Sequence, residues 1–127
     1  MAVDLAVRLT HQPGALAEVG EVLGNAEINI EAIAGFGIDG EGIVHLIVHD
    51  AGRARRVLEE AGVLVEAARE ALIVTLRHEP GSLGAYTRKL AEEGINIEAL
   101  YLAGEGRDSM KVVLVVEDTE TARAIHP

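Results

Sequence analysis

A chain of 127 residues, 49% hydrophobic and 25% charged, makes one compact domain or two small ones of about 60 residues each; units that small gain by packing on a neighbour. Eleven basic against twenty-one acidic residues leave a net charge of −10, which disfavours nucleic acid and anionic membrane surfaces, and an aromatic content of 2% offers little for base stacking. The lack of cysteine rules out disulfides and thiolate chemistry.

Residues 3–10 alternate apolar and polar, the pattern of a strand with one buried face. Pro13-Gly14 breaks it, and from Ala15 the apolar residues Leu16, Val19, Val22, Leu23 and Ala26 recur at helical steps. A proline just ahead of the first turn suits a helix start, where a missing N–H costs nothing. Ile28–Gly35 reads as a second strand, the four glycines from Gly35 to Gly42 as a flexible hairpin connection, and Ile43–His49 as a third strand. Asp50 is placed to cap a helix carrying Ala54, Val57, Leu58 and Ala61, which Gly62 ends. Val63–Ala67 is a fourth strand. The first unit is thus β-α-β-β-α-β, the ferredoxin-like order. A second set follows at once: a strand at Ala71–Arg77, a helix over Ser82–Glu93, strands at Ile95–Leu102 and Met110–Val116, and a helix opened by Asp118-Thr119. Its fourth strand is missing before Pro127. The expected fold is α+β, two βαββαβ units in tandem over residues 1–69 and 70–127, the second truncated in its last helix. With no long linker, one continuous sheet or two docked units are expected.

The two units are copies. His11-Gln12-Pro13-Gly14-Ala15-Leu16 leads to Ile28-Asn29-Ile30-Glu31-Ala32, and His78-Glu79-Pro80-Gly81-Ser82-Leu83 leads to Ile95-Asn96-Ile97-Glu98-Ala99. The offset is 67 residues throughout, and an ungapped alignment of 11–36 with 78–103 holds ten identities. Repetition of this kind marks two examples of one supersecondary unit.

These residues resemble the ACT domain, a βαββαβ module of amino-acid-metabolic enzymes and regulators. The signature is a strand, then Pro-Gly-x-Leu opening a helix, then Ile-Asn-Ile opening the next strand, and it is met twice. The resemblance covers nearly the whole chain and is nearest to free-standing tandem ACT proteins with no catalytic domain. It implies a regulatory protein that binds a small effector, most often a free amino acid, at the interface of paired units. It also implies a homodimer and, as a partner, an enzyme of amino-acid metabolism.

A free amino acid presents a carboxylate and an ammonium. Open N–H groups at a helix start suit the carboxylate, and glycine lets the backbone approach closely. The candidate ligand residues are therefore His11, Gln12, Gly14, Ala15 and Leu16 in the first copy, with Gly81, Ser82 and Leu83 repeating them. In serine-binding members of the family the asparagine that opens the second strand contacts the ligand. By that motif match Asn29 with Ile30, and Asn96 with Ile97, join the set. The family often has Asn or Asp two residues before the proline; here His11 and His78 stand there, and an imidazole titrates near pH ~6.5.

Other constellations carry less. His45 and His49, on a strand at ~3.3 Å per residue, would lie about 13 Å apart and could not share an ion. Glu59-Glu60 and Glu92-Glu93 are adjacent on helices and do not face each other. The glycines from 35 to 42 lack dinucleotide-binding spacing. No nucleophile has a base partner, so neither an enzyme, a metal site nor a cofactor is expected. A basic region followed by an apolar run is absent from the N-terminus, and no apolar run reaches the ~18 residues of a membrane span, so a cytoplasmic protein is expected. The competing reading is a ligand-free assembly module, in which residues 71–77 offer an open strand edge to another chain or to residues 63–69.

Overall fold

Two hydrophobic periods, two residues in the strands and three to four in the helices, decide which side of each element faces inward. In the computed structural model, which describes all 127 residues, they yield β1 (Ala2–Thr10), α1 (Ala15–Asn25), β2 (Ile30–Ile38), β3 (Glu41–Val48), α2 (Ala51–Glu60), β4 (Leu64–Arg77), α3 (Ser82–Glu92), β5 (Ile97–Glu105), β6 (Ser109–Val116) and α4 (Thr119–Arg123). The chain divides into two compact units, Ala2–Arg69 and Glu70–Pro127. No helix is long and apolar enough to cross a membrane.

In the first unit the strand order is β2-β3-β1-β4. β1 and β3 pair antiparallel from Asp4 opposite Ile47 to Thr10 opposite Glu41. Alternate residues Leu5 and Val7 of β1, and Val44, Leu46 and Val48 of β3, meet Val19 and Leu23 of α1 and Ala54 and Leu58 of α2 in one core. In the second unit the order is β4-β6-β5. Its core repeats the first: Tyr86 and Leu90 of α3 stand where α1 has Val19 and Leu23, over Leu76, Val112, Leu114 and Val116. No strand follows α4.

Helix ends follow local chemistry. The carboxylates of Asp50 and Asp118 accept from the backbone N–H groups of Arg53 and Thr121, at 3.1 and 3.0 Å, and so cap α2 and α4. α1, α2 and α3 all end in the same wrap, in which an N–H reaches back five residues: Ile28 to Leu23, Val63 to Leu58 and Ile95 to Leu90. The preceding residue must then be left-handed. Gly62 and Gly94 adopt φ 83° and 72° there, but α1 uses Glu27 at φ 59°.

Two expectations from the sequence are corrected. Residues 35–42 are not a flexible connection. β2 and β3 run into them, Gly35 pairs with Val44 and Gly37 with Gly42, and only Asp39-Gly40 turns. Both turn residues have positive φ, 49° and 77°, the two-residue type I′ hairpin whose twist matches its strands. Nor are 63–67 and 71–77 separate strands. No glycine or proline lies between Leu64 and Arg77, and β4 is one strand of 14 residues, so 63–69 cannot fold back to pair with 71–77.

β1 also buries an acidic residue. Asp4 is 1% exposed, and its carboxylate lies 2.9 Å from Nδ1 of His45, a diagonal neighbour on β3. The hydrogen bond that His45 donates to Asp4, against the cost of burial, raises the His45 pKa above its ordinary value of 6.5. A histidine raised on folding contributes stability that is full below the unfolded pKa and is lost as pH rises through the folded one. Urea unfolding measured from pH 6 upward should therefore show stability falling through the folded His45 pKa, and His45→Gln should flatten that fall; an unchanged slope in the variant contradicts the pairing. Separately, Glu27→Gly should raise stability by about 0.5–1 kcal/mol, the left-handed penalty less glycine's extra chain entropy, as read from denaturation midpoints.

Candidate functional site

The turn from β1 into α1 ends with Gly14. Its φ of 92° is left-handed, and its α1 start has no side-chain cap. Gly81 repeats this at the start of α3 with φ 91° and again no cap. An ideal Cβ on either glycine would meet nothing within 4 Å, so the requirement for glycine here is in the backbone and not in crowding.

The first N–H groups of a helix have no partner within it. In α1 the Ala15 N–H is taken by the Gln12 carbonyl at 3.3 Å, and that of Glu18 by Gly14 at 3.0 Å. The amides of Leu16 and Ala17, between them, have no backbone acceptor. In α3 Ser82 bonds Glu79 and Ala85 bonds Gly81, leaving the amides of Leu83 and Gly84 in the same condition. The amides of Ala15 and Ser82, expected from the sequence to face a ligand, are instead used by their own turns.

Two hollows flank the first turn. A cleft of about 750 Å³ is lined by the turn residues Gln12, Pro13, Gly14 and Ala15, by Arg8 and Thr10 of β1, and by Glu18 and Glu41. Arg8 is already paired. Its Nε lies 2.7 Å from Glu66 Oε1, its Nη1 contacts Glu41, and these carboxylates, Glu66 foremost, raise its pKa. The cleft thus offers the carboxylates of Glu18 and Glu41 but no unpaired guanidinium, and Leu16 and Ala17, whose amides are unclaimed, are not among its lining residues. The second hollow, of about 430 Å³, shares Leu9, Thr10, Gln12 and Ala15 with the first and adds His11, Leu16 and residues of β2 and β3. The His11 ring lies on Gly37, where a Cβ would come within 2.7 Å of Cε1.

In the second unit a cleft of about 610 Å³ adjoins Pro80, Gly81 and Ser82. Tyr86 lines it, 1% exposed, with a hydroxyl that has no hydrogen-bond partner and a pKa raised by burial. His78 is exposed, 4.0 Å from Glu105. Leu83 is 39% exposed on the outer side of α3.

The remaining candidates stand apart. Asn29 and Asn96 are exposed and precede β2 and β5. Each lies at the far end of an 11-residue helix from its glycine turn, about 16 Å away at 1.5 Å per residue. Ile30 and Ile97 pack against the two cores. No single unit therefore brings an asparagine to its own turn. Arg8, Glu18, Glu41 and Glu66 were not singled out from the sequence. Arg8 sits on the polar side of an alternating strand, the one signal available, and its partners are 33 and 58 residues away.

Doubled strand–glycine–helix turns on a βαββαβ scaffold define a tandem ACT architecture. The chain belongs to the ACT domain pair family, whose model matches residues 1–126. Among solved structures, protein BT0572 from Bacteroides thetaiotaomicron is similar over 97% of this chain and 84% of its own, at 25% identity and a TM-score of 0.87. The regulatory subunit of aspartate kinase from Thermus thermophilus, in its ligand-free form, matches over 98% of this chain and 89% of its own, at 22% identity and a TM-score of 0.71. The aspartokinase alpha and beta subunits match over 98% and 88%, at 20% identity and 0.72. No curated protein matches the sequence.

The open surroundings of Gly14 separate backbone strain from packing. Gly14→Ala should cost about 1–2 kcal/mol in chemical denaturation, from the left-handed φ alone. Gly20→Ala, equally open but inside α1, should stabilise by about 0.5–1 kcal/mol. Equal effects at the two positions would contradict the backbone reading.

Proposed function

We propose that this protein is a non-catalytic regulator whose effector is a free amino acid held at the glycine-led turns. One observation carries the reading: each copy opens its helix on a left-handed glycine, without a side-chain cap, beside a cleft and with two amides unclaimed. A carboxylate suits that helix end, where N–H groups and dipole act together. The ammonium needs acceptors, and Glu18 and Glu41 line the first cleft. His11, Gln12, Gly14, Ala15 and Leu16 form the turn that holds the ligand in the first copy, and His78, Gly81, Ser82 and Leu83 do so in the second. Asn29-Ile30 and Asn96-Ile97 act from a paired unit, since each is a helix length from its own turn. Homodimerisation supplies such pairing, and the regulated partner is an enzyme of amino-acid metabolism. The resemblance to a regulatory subunit of aspartate kinase supports a role of this class. Regulation then follows if the ligand binds one arrangement of the units better than another.

A second reading, a ligand-free assembly module, is favoured by β2. It is the edge strand of its unit, and Ile33, Phe36 and Ile38 on it are exposed. A thermal-shift screen of the free amino acids separates the two. At a hundred times the dissociation constant a ligand stabilises by about 2.7 kcal/mol, a clear rise in melting temperature. Asn29→Ala should abolish the rise with the fold intact, because Asn29 is exposed. If no amino acid raises the midpoint at millimolar concentration, the assembly reading replaces this one.

A further inference from the structure

The hollow beside His11 has a floor made by absence. Gly35, Gly37 and Gly42 line it together with Val44, and Leu16 and Ile33 form apolar walls. No lysine, arginine, aspartate or glutamate lines it. Its polar side chains, on Thr10, His11 and Gln12, come from the end of β1 and the turn that follows it. The three glycines sit in paired strands without positive φ, so no turn demands them. Gly37 is accounted for by the His11 ring against it. Gly35 and Gly42 have a different consequence, which the second copy makes visible.

Strand pairing matches the positions one to one. Gly35 lies opposite Val44, and Leu102 lies opposite Val112, the valines being equivalent core residues. Gly42 lies opposite Leu9, and Met110 lies opposite Leu76, the two leucines again being equivalents. The second copy therefore carries a leucine and a methionine where the first carries no side chain. Open glycine in a strand interior weakens it, which makes two of them on the first copy's floor an expense that wants a reason.

Resting on the amino-acid reading above, we propose that the effector has an apolar, uncharged side chain, which enters this glycine-floored hollow in the first copy only. Its head group stays at the turn, where the amides of Leu16 and Ala17 are unclaimed. The side chain lies over Gly35 and Gly42 between Leu16 and Ile33. At about 430 Å³ the hollow is within the range of small-molecule pockets and takes a branched or aromatic side chain. A charged side chain would be stripped of water there with no opposite charge to meet it. In the second copy the equivalent strand positions carry Leu102, which is half exposed, and Met110, which packs against the core. The specificity of the pair is thus set by glycines in a hairpin, away from the Pro-Gly signature that both copies share.

The test is calorimetric titration of the whole protein with leucine, phenylalanine, lysine and aspartate, repeated on Gly35→Leu and Gly42→Met. Both variants copy residues of the second unit. At Gly35 an ideal Cβ lies 3.4 Å from Val44 Cγ2, and at Gly42 one lies 3.4 Å from Leu9 Cβ, so a Cβ at either position just reaches van der Waals contact with its neighbour. Circular dichroism and melting establish that each variant is folded, and the titration of the unaltered protein needs neither. The expected result is binding of leucine or phenylalanine at one site per chain, with lysine and aspartate silent, and affinity weakened at least about tenfold in either folded variant. Binding of lysine or aspartate in preference, or apolar binding undiminished in folded variants, overturns the pocket assignment while the effector reading stands. Silence of all four amino acids overturns the pocket assignment, and with silence across the whole amino-acid screen the effector reading falls too.

Discussion

A left-handed residue at the first turn of a helix is what the candidate site depends on. Between a β-strand and an α-helix the chain must reverse within a few residues, and Gly14 at φ 92° and Gly81 at φ 91° do so where a side chain would be strained. The conformation has a price in capping. Asp50 and Asp118 close the starts of α2 and α4 with a carboxylate, but a glycine has none to offer. The helix ends that carry the Pro-Gly signature are therefore the ones left electrostatically open. Each turn satisfies one of its own amides internally, Ala15 on Gln12 and Ser82 on Glu79, and leaves the next two without a backbone acceptor.

Around that common device the two copies diverge in what surrounds it. The first adds Arg8, held by Glu41 and Glu66, and a hairpin whose glycines keep the strand floor bare. The second substitutes Leu102 and Met110 on its hairpin, and packs Tyr86 where the first has Val19. Duplication preserved the backbone route and the core periodicity, which a fold cannot lose without unfolding. It did not preserve the side chains beside the turn. That is the pattern expected when one scaffold carries sites with different tasks.

Much of this was legible in the residues alone. Helix starts, the Asp50 cap and the exchange of periods between strand and helix are local signals; the helices start at Ala15, Ser82 and Thr119 and Asp50 caps α2 as expected, and the strand ends outside β4 lie within three residues of their expected places. The doubled Pro-Gly and Ile-Asn-Ile motifs led to the family because they tie a turn to a strand at a fixed distance. The hairpin is not legible in glycine content, which suggests flexibility. Gly35, Gly37 and Gly42 are held by cross-strand pairing, and pairing is a relation between distant residues that composition does not encode. The break expected near Ala68-Arg69-Glu70 followed from the repeat and not from any residue there, since no glycine or proline occurs; the chain simply continues as β4. The salt links of Arg8 and the Asp4–His45 pair join residues 33 to 58 apart and became visible only when β1 met its neighbours.

The most direct measurement is amide hydrogen exchange, resolved by residue, with and without the amino acid that binds best. Unclaimed amides exchange freely, whereas those inside the helix are protected. The amides of Leu16, Ala17, Leu83 and Gly84 should exchange without protection in the free protein, with Val19 and Leu23 protected. Saturation with ligand should slow Leu16 and Ala17. Protection of these amides before ligand is added, or no change in them at saturation, would contradict the account.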